Sequence, residues 1–180
     1  MKKNNAGFSL IELVVVIAVI VVLGGIGLTW ISNMSGYRAR ECAGKVASTL
    51  SGAKVKSLSK QQNTGDAFWE LKLESDGKYY VTTYFPNYSG GSISSYDEET
   101  SKVGRSSNIK ITYTDNSGVH DVDGSNPLYL CYDRSIGALY VGKTGSVNKT
   151  SNISKITVSK GSISYNIEIV AKTGKVIGRY

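Results

Sequence analysis

Histidine occurs once in 180 residues, proline and cysteine twice each, and phenylalanine three times. The single histidine, His120, sits in a polar, turn-rich stretch, and no G-x-S-x-G, H-E-x-x-H or P-loop pattern occurs in the chain. Nucleophilic, zinc-hydrolytic and phosphate-cradling chemistry therefore lack their usual parts. His120 reads as a solvated loop residue, and the chain reads as no enzyme, with no cofactor and no metal of its own. Two cysteines, Cys42 and Cys131, allow one intramolecular bridge, and cysteine is also a common small core residue. Twelve tyrosines against three phenylalanines suit strands with one wet face. No internal repeat is present, and low complexity is confined to one Ser/Gly-rich stretch around residue 90.

Charge is equally scarce near the N-terminus. Between Phe8 and Trp30 the only charged residue is Glu12, and no Lys or Arg occurs between Lys3 and Arg38. A run of that length, at about 1.5 Å rise per residue, spans a hydrocarbon core of about 30 Å as one helix. A carboxylate inside it costs about 2.5 kcal/mol or more at a bilayer centre and less near an interface, so an acid there is functional by default. Its partner is expected outside this segment, on this chain or on a neighbouring copy. A secretory signal peptide has an uncharged apolar region and an Ala-x-Ala-like site, and neither fits well. A plain membrane anchor accounts for the length but gives no reason for Glu12 or for glycine immediately before Phe8.

A short basic leader ending in Gly7, then Phe8-Ser9-Leu10-Ile11-Glu12-Leu13 and an aliphatic helix, resembles the N-terminus of type IV pilins and type II secretion pseudopilins. The resemblance implies cleavage by prepilin peptidase between Gly7 and Phe8, N-methylation of the new Phe8 amine, and a Glu12 that serves subunit assembly. It also implies other pilins or pseudopilins in a helical filament, and an inner-membrane assembly platform, as partners. Elementary electrostatics agrees. Cleavage creates a positive amine four residues from Glu12, and the amine of an incoming subunit neutralises a neighbour's carboxylate where the dielectric is low. Lys2 and Lys3 keep the leader on the cytoplasmic side. The expected location is the cytoplasmic membrane, single-pass with the N-terminus in, and then a pilus or pseudopilus.

The expected fold class is α+β: a long N-terminal hydrophobic helix packed on a C-terminal antiparallel β-sheet head. The divisions are a leader over 1–7, a helix over 8–60 and a β-rich head over 61–180. Within the helix, 8–30 is the membrane or filament-core part and 31–60 an amphipathic stem. Gly24, Gly25 and Gly27 weaken the first part by about 1 kcal/mol each relative to Ala. They either let neighbouring helices approach or mark a segment that unwinds on leaving the bilayer. Many pilins carry a helix-breaking proline in this region, which this chain lacks. Trp30 fits an interfacial anchor. In the stem, Ala39, Ala43, Val46, Ala47, Leu50, Ala53 and Leu58 recur at helical spacing, with Arg38, Arg40, Lys45, Lys54, Lys56 and Lys60 in other directions. That basic side either binds lipid headgroups or nucleic acid, or is a solvated face.

From residue 67 the period becomes two. Runs over 67–74 and 78–85 flank Ser75-Asp76-Gly77, an Asp-Gly hairpin signal. Residues 86–104, polar and without periodicity, read as an exposed loop, where variable binding functions tend to sit. A strand is expected over 108–114, followed by turns at 115–118 and 121–124. The second turn superficially resembles a cation loop but lacks calcium-loop spacing and the closing Glu. Strands over 128–133 and 138–141 pair across residues 134–137, and a meander fills 153–159, 162–171 and 175–180. This ending is similar to that of the H-type pseudopilins and the fimbrial T-type minor pilins, with a Thr173-Gly174 turn before a basic last strand. The C-terminal disulfide loop of many pilins is not reproduced by Cys42 and Cys131.

Two function classes follow. One is structural: a minor pilin or pseudopilin that enters a filament through its N-terminal helix. The other is capture of DNA during uptake. Without the leader the chain keeps 19 basic and 14 acidic side chains, a net charge of +5. Lys143, Lys149, Lys155, Lys160, Lys172, Lys175 and Arg179 face only Glu168 in the C-terminal tail. Such clustering grips phosphates without reading sequence, and Lys172, Lys175 and Arg179 are the candidate DNA contacts. Positive net charge is common, however, and no aromatic-plus-basic stacking platform is evident, so the structural class is favoured.

Overall fold

The computed structural model describes residues 10–59, 67–104, 108–133, 135–142 and 152–179, with 24–35 and 179 described by backbone alone. Gly7, Phe8, Lys143 and Lys149 lie outside the described residues, as do the side chains of Trp30 and Arg179. In chain order the elements are α1 (Leu10–Ser59), β1 (Phe68–Leu73), β2 (Tyr79–Ser89), β3 (Ser92–Lys102), β4 (Lys110–Asp115) and β5 (Gly118–Val122). They continue with β6 (Leu128–Tyr132), β7 (Leu139–Val141), β8 (Lys155–Lys160), β9 (Ile163–Val170), a short 3-10 turn (Ala171–Thr173) and β10 (Lys175–Arg179). The class is α+β. The chain divides into two compact units, Met1–Ser35 and Gly36–Tyr180.

In the first unit the described apolar side chains run from Leu10 to Leu23, about 20 Å of helix. Among the described residues no helix is long and apolar enough to cross a membrane.

The second unit contains two five-stranded antiparallel sheets, ordered β3-β2-β1-β6-β7 and β10-β9-β8-β4-β5. Strand alternation decides what each face buries. On β1, Trp69 and Leu71 point inward while Glu70 and Lys72 point outward; on β2, Tyr79 and Val81 are buried and Tyr80 and Thr82 half-exposed. The register pairs Leu71 with Val81 and with Leu128, so one apolar row crosses three strands. Ile111, Ile156, Val158 and Ile167 supply the inner face of the other sheet. Ala39, Cys42, Ala43, Val46, Leu50 and Ala53 of α1 join both inner faces in one core. The four-residue and three-residue steps between them put one helix stripe there, and the small side chains let strands come close. Leu58, expected on that stripe, is 49% exposed, and Ser57 is buried in its place.

Polar ties fix the layers. Tyr79 donates its phenol to the Val122 carbonyl at 3.2 Å and accepts the Ile111 amide at 3.4 Å, joining the two sheets. Lys54 reaches the Thr173 carbonyl at 2.6 Å, Lys56 the Glu99 carboxylate at 2.6 Å, and Lys45 meets Glu41 at 2.7 Å. The basic side of the stem is therefore partly spent on contacts within the unit.

Several expectations are corrected. Residues 86–104 are not a loop: β2 runs to Ser89, turns at Gly90 and Gly91, and returns as β3. The two glycines have φ of 62° and 85°, the positive pair that a two-residue hairpin turn of type I′ requires. The period-two signal is absent because every residue of β3 is exposed, leaving no apolar face to mark. Pro86 is tolerated because β1 pairs β2 only up to Tyr84, leaving one side of the outer half of β2 unpaired. Likewise, 118–122 is a strand, β5, on β4. The cation-like stretch is an Asx turn: Asp123 accepts the Ser125 and Asn126 amides at 2.8 and 2.7 Å. The Ser125 hydroxyl and these amides hold the Asp123 carboxyl below its ordinary range.

Candidate functional site

α1 places Glu12 in its first helical turn, where a carboxylate is favoured by the positive end of the helix dipole. Around it the large apolar side chains from Leu10 to Leu23 are all exposed, from 82% at Leu10 to 47% at Val16. A contiguous apolar surface of this kind marks a contact with lipid or protein. The arrangement is one acid in an apolar helical surface.

Neither cysteine is in a disulfide, both are buried, and the structure does not bring them together. Cys42 belongs to the core face of α1. On β6, Leu130 and Tyr132 point into that core, so Cys131 between them points to the other side of its sheet. A sheet therefore stands between the thiols, and the possible bridge is not made. Burial pushes the Cys42 thiol up to about 12, which keeps it protonated and unreactive.

Of the candidate DNA contacts, Lys172 lies in the 3-10 turn and Lys175 on edge strand β10, both exposed. Arg179 is also on β10. Elsewhere on that sheet basic and acidic groups are interleaved: Lys155 stands opposite Glu168, and Lys110 meets Asp121 at 2.9 Å.

His120 is not a solvated loop residue. It sits on β5, stacked on Tyr113 at 4.9 Å between ring centroids, with Nε2 3.1 Å from Asp115 Oδ1 and 2.9 Å from Ser117 Oγ. Both partners meet the same ring nitrogen, so the histidine cannot relay a proton from serine to carboxylate through opposite nitrogens. Among the described residues no group of three or more His, Cys, Asp or Glu is placed to hold a metal ion.

One cluster was not anticipated. On the outward face of the first sheet, Glu70 accepts the Tyr84 phenol at 2.7 Å on one oxygen and the Tyr129 phenol at 2.8 Å on the other. Phe68 stacks on Tyr84 at 4.3 Å, and Tyr96 stands edge-on to both. These groups line a cleft of about 500 Å³. Burial, then the hydrogen bond to Glu70, pushes the Tyr84 phenol well above its ordinary range. The signal in the sequence was the outward alternation Phe68, Glu70, Lys72 and Tyr80, Thr82, Tyr84. It becomes a site only once β2 and β6 are known to flank β1.

Residues 2–28 match the family model of the prokaryotic N-terminal methylation motif. This is the class III signal of type IV pilins and pseudopilins, a family of structural subunits anchored in membranes. No curated protein and no solved structure matches the chain.

Proposed function

We propose that the chain is a minor pilin or pseudopilin, a structural subunit of a type IV pilus or type II secretion filament. The observation that carries the reading is the methylation motif followed by an exposed apolar helix with one acid in its first turn. Prepilin peptidase cuts between Gly7 and Phe8, the Phe8 amine is methylated, and the chain waits in the cytoplasmic membrane with its strands on the exported side. The apolar helix spans the bilayer first and then joins the helical bundle of the filament, on an inner-membrane assembly platform. There the amine of an incoming subunit meets the Glu12 carboxylate of its neighbour, and the low dielectric makes that pairing selective.

The test is Glu12→Ala in cells. The variant inserts and is processed normally but is poorly incorporated into filaments; incorporation at the unmodified level contradicts the assembly role.

Exposure of Lys172 and Lys175 beside an edge strand supports a second reading, DNA capture on the same scaffold. Charge reversal at Lys172, Lys175 and Arg179 then abolishes DNA retention and leaves assembly intact. Unaltered retention removes this reading.

A further inference from the structure

We propose that the cleft on the outward face of β1, β2 and β6 binds a neutral saccharide. The cleft volume, about 500 Å³, lies within the range of small-molecule sites, about 300–1,000 Å³.

Its wall combines charges of both signs with aromatic rings. Glu70 and Glu74 are acidic, and Lys72 lies between them with its ammonium 3.1 Å from Glu74. Lys72 is paired with Glu74, which leaves the wall the charge of Glu70, already met by two phenols. A strong anion is repelled there, and a neutral polyhydroxyl ligand, which needs donors and acceptors side by side, finds both in this wall. Glu70 uses two of the roughly four acceptor positions of a carboxylate on Tyr84 and Tyr129. The remaining two accept ligand hydroxyls, while the Lys72 ammonium has donors beyond the one given to Glu74.

The rings complete the match. Phe68 stacks on Tyr84, and Tyr96, 37% exposed, stands edge-on to both; an exposed ring in the wall attracts the weakly positive C–H groups of a sugar. The two phenols that hold Glu70 also fix its rotamer, so the acceptor is positioned before the ligand arrives. This inference goes beyond the filament reading and uses neither Glu12 nor the leader, so the two stand or fall separately.

The test uses the full chain in lipid nanodiscs, titrated with glucose, galactose, N-acetylglucosamine and their disaccharides and followed by saturation-transfer NMR. Tetramethylammonium and inorganic phosphate serve as charged probes. At least one saccharide binds saturably, and Glu70→Gln weakens it about tenfold, the equivalent of one charge-assisted hydrogen bond. Tyr96→Ala, a change on exposed edge strand β3 that leaves the core intact, weakens it comparably. Three results overturn the proposal: no saccharide saturates, a charged probe binds in preference, or both variants bind as the parent does.

Discussion

The phenol of Tyr132, on β6, donates to the backbone carbonyl of Leu50, on α1, across 2.9 Å in the buried core. This bond sets the height of the helix against the sheet, because Leu50 and Tyr132 are both almost fully buried. Tyr132→Phe keeps the ring and leaves the carbonyl its helical partner, so only the phenol bond is lost. The expected cost is about 1 kcal/mol, read as a lowered urea midpoint with unchanged slope. A cost near zero would mean that the bond does not hold the layers.

Stability falls on the alkaline side. Burial pushes the Cys42 thiol from 9.0 up to about 12 and the Tyr132 phenol above its ordinary range. Between the unfolded and folded values the unfolded chain has shed a proton that the folded chain still holds, so rising pH favours unfolding. The slope is at most about 1.4 kcal/mol per pH unit for each group. It begins near pH 9 for Cys42 and near pH 10 for Tyr132. Unfolding midpoints taken at pH 7, 9.5 and 10.5 should decline, and Cys42→Ala should remove the earlier part. The same measurement with a thiol reagent should detect both cysteines only in denaturant.

Trp69 is fully buried, and among the described residues its indole N–H meets no hydrogen-bond acceptor. An orphan donor costs about 1–3 kcal/mol, so Trp69→Phe offsets lost contact area by removing that penalty. The expected loss is below about 1.5 kcal/mol, against about 3–5 for Trp69→Ala, which adds a cavity. Equal melting temperatures for the two variants would contradict the role of packing at this position.

Gly174, in the turn before β10, has φ +57°, and a β-carbon there lies 2.9 Å from Tyr132 Cε1 and runs into the Gly137 carbonyl oxygen. Gly174→Ala therefore meets backbone strain and a clash together, costing about 1–3 kcal/mol. Thermal unfolding reads this directly, and an unchanged midpoint would show that the turn yields.

How much of this was legible depended on what each residue faced. The stem stripe from Ala39 to Ala53 could be read because one face is buried and the period follows. The β1–β2 hairpin could be read because Asp76-Gly77 marks its turn. β3 could not, because an edge strand exposed on both faces writes no alternation, although Gly90-Gly91 was a turn signal in plain view. The separation of Cys42 from Cys131 needed the parity of β6. The Glu70 cluster needed the register of three strands, since Tyr129 is 59 residues distant from its partner.

The central claim is that the methylation motif at residues 2–28 is used. The most direct measurement is the intact mass and N-terminal fragment mass of the protein recovered from cells with and without prepilin peptidase. The account predicts a chain that starts at methylated Phe8 only when the peptidase is present. A chain still starting at Met1 in both strains, or cut near Trp30, would contradict it.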